Sequence, residues 1–213
     1  MYGAADNVIA NDIARMGSMI IKTAANVTEG LKSNNHYLFA ESMEQLADID
    51  ISTNNINNKI VSAIPIFCKD EQTARKFTSY VKIISEFIQV THTIRYFCKN
   101  ITDCTSERCY MAIKENMLQL FQTAIEAFAM SSELVKDNGS IKDVFRAIKM
   151  EQMKCDELRE QIEQSMAGFD MKFTFGCIKI VNITEQIDVI SKSASAVAKI
   201  IILTQDGGKL RIY

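Results

Sequence analysis

The chain has 213 residues, 47% of them hydrophobic and 23% charged, with 24 basic against 26 acidic side chains and a formal charge of -2. That balance gives no basic field for nucleic acid, and no apolar run reaches the roughly 18 to 20 residues that a membrane-spanning helix needs. With Pro65 as the only proline and eight glycines in all, helix interiors are almost free of breakers, which predicts an all-α chain packed by aliphatic side chains.

Six scattered cysteines fit reduced thiols in a cytoplasm better than a disulfide framework, and Met1 to Asp6 lacks the basic and then apolar pattern of a signal peptide. The expected compartment is cytoplasmic, so the sequons at Asn26, Asn100, Asn138 and Asn182 carry no weight.

A first helix is expected from about Asn7 to Leu31, with Ile13, Met16, Ile20, Ala24 and Val27 on its buried side and Gly30 with Lys32 to Asn35 marking its end. The second, from about His36 to Ala63, buries Phe39, Met43, Leu46, Ile49, Ile56 and Ile60, and Pro65 is expected to stop it. Asp70 and Glu71 open the third, which runs to about Ile101 with Tyr80, Ile83, Phe87, Val90, Ile94 and Phe97 three and four residues apart. A fourth spans Arg108 to about Lys136, with Ile113, Met117, Leu120, Ala124 and Phe128 inward. Asp137-Asn-Gly-Ser breaks the chain, Ser140 is the expected N-cap of a fifth helix ending near Met166 and Gly168, and the sixth starts near Lys172. Its seam is Ile180, Ile183, Ile187, Ile190, Ala194, Val197 and Ile201. The tail from Thr204 reads as a frayed end or a short arm onto a neighbour.

The halves repeat one another. Lys22-Thr-Ala returns as Gln122-Thr-Ala at an offset of 100, Asp50 and Ile56 return as Asp156 and Ile162 at 106, and Phe87-Ile-Gln-Val returns as Thr184-Glu-Gln-Ile at 97. Drifting offsets are what altered loop lengths produce between duplicated units. The expected organisation is six long helices as two pseudo-repeated three-helix bundles, residues 1–103 and 104–203, with a tail at 204–213.

On these residues the chain resembles the PhoU family of phosphate-transport regulators and the PhoU-like domains of sodium/phosphate cotransporters. The resemblance rests on Ile13-Ala-Arg-Met-Gly-Ser-Met, on Met43 to Ile60 and Glu151 to Ile162, and on Phe87-Ile-Gln-Val-Thr-His92 and Thr184-Glu-Gln-Ile-Asp-Val189. It implies a cytoplasmic, non-enzymatic homodimer that docks to a phosphate transporter or sensor kinase and reaches the membrane only through that partner. It also implies iron or zinc clusters held by acidic pairs four residues apart, a spacing that puts both carboxylates on one helix face. The matching pairs here are Leu46 with Asp50, Ile88 with His92, Gln152 with Asp156 and Glu185 with Val189. Each has lost at least one carboxylate, which leaves Asp50, His92, Asp156 and Glu185 as the candidate metal ligands and makes a metal-free protein the expected state. Glu44 and Asp48 keep the spacing but sit two residues out of register. Ile88 and Val189, apolar where the family is acidic, are candidates for contact surface. Whether the chain stands alone or is a piece of a longer transporter is open.

Two further function classes remain beside the docking regulator: a metal-cluster protein with phosphate-handling activity, built on Asp50, Asp156 and Glu185, and a helical scaffold with no phosphate connection. His92 lies about 160° around the helix from Val90 and Ile94, away from the seam, as a ligand, a phospho-acceptor or a solvated side chain would. Residues three before His36 and His92 are Ser33 and Gln89, so the Glu-x-x-His pairs of a di-iron bundle are missing. Cys98, Cys104 and Cys109 cluster at the joint between halves as idle thiols, zinc ligands or oxidant sensors, though their spacing is not that of a zinc knuckle. No phosphate loop or nucleophile elbow occurs.

Overall fold

The computed structural model describes residues 2–105, 108–136, 140–167 and 175–205. They form α1 (Tyr2–Ser33), α2 (His36–Phe67), α3 (Glu71–Cys104), α4 (Arg108–Glu133), α5 (Ile141–Ala167) and α6 (Phe175–Gln205), with no strand among them. The seams expected in α1, α3, α4 and α6 are buried almost without exception: Ile13, Ile20, Phe87, Val90, Phe128, Ile180, Ile187 and Val197 all lie in one core. Burial of these stripes, at roughly 25 cal/mol per Å² of apolar surface, holds helices far longer than propensity alone would sustain.

The ends of α1 and α2 fall beyond the expected ones, each for a local reason. Gly30 does not end α1; the chain turns at Asn34, whose φ of 52° is left-handed, and the Asn35 amide donates to the Gly30 carbonyl at 3.0 Å. That is the closing bond of a Schellman cap, with asparagine where glycine is commoner. α2 runs through Pro65 to Phe67 because Pro65 is exposed, so the carbonyl that its missing N–H leaves free, at exposed Val61, meets water, while the Cys68 amide closes the last turn on the Ile64 carbonyl at 2.9 Å. Asp70 is the N-cap of α3, accepting from the Thr73 amide at 2.8 Å and from its hydroxyl at 3.0 Å. Ser140 precedes α5 with its carbonyl accepting from the Asp143 and Val144 amides, while its hydroxyl donates to the Asp143 carboxylate. Gly168, Lys172 and the tail beyond Gln205 lie outside the described residues.

α1, α2 and α3 pack on one another, as do α4, α5 and α6, and the two triplets meet where α3 lies on α6 and α1 on α4. At that join Gly17 of α1 allows close approach, since a β-carbon there would stand 1.9 Å from Ser132 Oγ and 3.0 Å from Phe87 Cε2. Phe87 and Phe97 of α3 each meet a ring of α4, Phe128 and Phe121, with centroids 4.9 Å apart. α2 and α5 are left on the outside, each presenting one face to solvent.

Candidate functional site

Beside its apolar seam α6 carries a second, polar stripe: Thr184, Asp188, Ser191 and Ser195, spaced four, three and four apart and all buried. Asp188 is 4% exposed. Its Oδ2 accepts from Arg159 Nη1 of α5 at 3.1 Å and from Lys192 Nζ at 2.5 Å, and its Oδ1 accepts from Ser191 Oγ at 3.2 Å. A carboxylate this buried is tolerated only when paired and hydrogen-bonded, and all three partners come from the facing surfaces of α5 and α6. Arg159 also faces Glu163 at 3.6 Å and Asp156 at 3.8 Å on its own helix. Further along, Gln152 Oε1 accepts from Ser195 Oγ at 2.9 Å and from Lys149 Nζ at 2.7 Å. Burial, and then the nearby Lys199, hold the Lys149 ammonium below the usual lysine range. The Cys155 thiol is pushed up to about 12 by burial first and by the Asp188, Asp156 and Glu151 carboxylates next, so it stays protonated.

The first unit has a simpler version. Arg95 of α3 reaches across to α2, donating from Nη2 to Asp50 Oδ2 at 2.5 Å and to the Leu46 carbonyl at 3.3 Å. Under the repeat offsets Asp50 aligns with Asp156 and Arg95 with Lys192. In the first unit a cation of the third helix thus meets the acidic step of the second, whereas in the second unit Arg159 of α5 and Lys192 of α6 both meet Asp188 of α6.

By sequence the chain matches no protein-family model and no curated protein. By shape it superposes on PhoU from Pseudomonas aeruginosa with a TM-score of 0.76, at 15% identity, over 97% of this chain and 100% of that one. The chain has the PhoU fold. Two structures from Shewanella oneidensis MR-1, one assigned as a PhoU-like phosphate regulatory protein and one a PhoU-like protein, agree with TM-scores of 0.70 each, at 8% and 9% identity, and each covers 93% of this chain and 99% of its own.

The residues of this PhoU fold do not suit a multinuclear iron or zinc cluster. Of the positions the resemblance assigns to metal, Asp50 is half-buried and ion-paired to Arg95, Asp156 is exposed with Arg159 beside it, and His92 and Glu185 are exposed. Leu46 lies in the core, Ile88 packs partly against it, Val189 is half-buried and Gln152 is hydrogen-bonded to Ser195. Among the described residues no group of three or more histidines, cysteines, aspartates or glutamates converges as a metal site, Cys98, Cys104 and Cys109 included. Where a cluster would need acceptors, Arg95, Arg159 and Lys192 already supply positive charge. The buried carboxylate of the region, Asp188, is adjacent to a family position and not on one. Its stripe is readable in the sequence as polar residues at helical spacing, a signal masked by counting only apolar positions.

Proposed function

We propose that the chain is a regulator of phosphate transport that works by docking, as a homodimer, to a phosphate transporter or its sensor kinase, with no resident iron or zinc. The observation that carries this reading is a PhoU fold spanning nearly the whole chain in which the polar seams between second and third helices are closed by the chain's own cations. A protein closed in this way acts by favouring one conformation of a partner, which requires only differential binding. Ile51, Val61 and Ile64 on α2 and Met150 and Met153 on α5 are exposed and apolar, on the two outer helices the repeat makes equivalent, and they support docking through those faces better than the half-buried Ile88 and Val189 do.

Phosphate uptake measured in cells lacking the protein tests the reading. Uptake is expected to lose its response to external phosphate, with rescue by the wild-type chain and failure of rescue by Val61→Glu with Ile64→Glu or by Met150→Glu with Met153→Glu. Uptake that keeps its normal response in the deletion strain would overturn the assignment. Phosphoester turnover that disappears in Asp50→Asn, Asp156→Asn and Glu185→Gln variants would transfer the chain to the metalloenzyme class.

A further inference from the structure

Cys109 and Cys177, not joined in a disulfide, come from the first turns of α4 and α6, separated by 68 residues of chain, with sulfurs 3.1 Å apart in a buried contact. A disulfide needs about 2.05 Å, so the sulfurs stand about 1 Å from bonding distance, on two helices that already pack together. The other cysteines differ. Cys98 and Cys155 are buried with thiols pushed up to about 12, mainly by burial, and are protonated and inert, while the Cys104 thiol donates to the Asn100 carbonyl. Cys68 is half-buried at the end of α2 and forms no disulfide.

From this geometry we propose that Cys109 and Cys177 are an oxidation site, converted by a hydroperoxide into an intrachain disulfide that staples α4 to α6. Cys177, at 9% exposure against 4% for Cys109, is the sulfur first attacked. Its thiolate takes one peroxide oxygen, the O–O bond breaks, and with hydrogen peroxide the other oxygen leaves as water, giving a sulfenic acid. The Cys109 sulfur then attacks that sulfur, the S–S bond forms, and the sulfenic oxygen leaves with the two remaining protons as a second water. Two thiols are oxidised, one peroxide is reduced, and a thiol reductant reverses the change. Closing a loop of this length stabilises the fold mainly by restricting the unfolded chain.

The test treats the intact, folded protein with hydrogen peroxide, then unfolds it in denaturant without reductant, alkylates the remaining thiols and reads the mass. Four of the six cysteines are expected to alkylate, with a crosslinked Cys109–Cys177 peptide after digestion. The melting temperature should rise by about 5 to 10 °C and return with dithiothreitol. In Cys109→Ser, which tests the order of attack without depending on the staple, a dimedone-trappable sulfenic acid should accumulate on Cys177. Six alkylatable thiols after oxidation, a crosslink through any other cysteine, or a melting temperature that falls on oxidation would each overturn the proposal.

Discussion

Asp188 and Asp50 look alike in the sequence, each an aspartate beside a buried isoleucine, and differ in what surrounds them. Asp188 is enclosed and holds Arg159, Lys192 and Ser191 together, whereas Asp50 is half in water and holds Arg95 alone. Replacing Asp188 by alanine should cost about 1 to 3 kcal/mol of stability, because it removes the common acceptor of a buried network. Asp50→Ala should cost about 1 kcal/mol or less and lose most of that difference in high salt. Chemical denaturation of both variants at two ionic strengths checks the contrast. Asp70 makes a pH-dependent contribution of its own. The Thr73 amide first, and then the Thr73 hydroxyl, hold its carboxyl below the usual carboxylate range. A lowered folded-state value means stability that is present above the unfolded value, near pH 4, and lost as the pH falls through the folded one. The melting temperatures of wild type and Asp70→Ala should therefore differ at neutral pH and converge in acid.

The helices were legible from their spacing, because a stripe of aliphatic residues at three and four is both what a reader counts and what the core buries. Their ends were less so. Gly30 with Lys32 to Asn35 marks the end of α1 in the sequence, yet the helix continues through Gly30 and the left-handed turn falls within the polar cluster at Asn34, whose side chain also accepts from Lys114 Nζ at 2.8 Å. Asn34→Ala should destabilise by about 1 kcal/mol, since an alanine pays the steric cost of that conformation, while Asn34→Gly should be neutral or better by thermal melting. Pro65 misled in the same way: a proline at an exposed position in a last turn removes one bond that water replaces, so local preference yields to the packing of Ile60 and Ala63 further back. The Asn-rich stretch from Asn54 to Asn58 stays helical for the same reason, with Thr53, Ile56 and Ile60 buried on its inner face. The polar stripe of α6 is hard to read in the sequence because its members each follow a buried apolar residue, Ile183, Ile187, Ile190 and Ala194, which accounts for the burial on its own.

The pairing of α1 with α4 and of α3 with α6 joins equivalent helices of the two units, and it is here that the close approach at Gly17 matters. Gly17→Ala gains about 1 kcal/mol of helix propensity but drives a methyl group into buried Ser132 and the Phe87 ring, so a net loss of about 1 to 2 kcal/mol is expected. Ser132→Ala in the same chain should recover part of it, a coupling that a double-mutant cycle would read. With the join fixed, the outer α2 and α5 present their faces to solvent, and the seams behind them carry Asp50 with Arg95 and Asp188 with Arg159 and Lys192. None of the described helices is long and apolar enough to cross a membrane. The most direct test of a PhoU fold closed by its own cations is metal analysis of the protein purified without chelator after growth with iron and zinc. The account predicts far less than one equivalent of either metal, and a stoichiometric or greater amount of iron or zinc would contradict it.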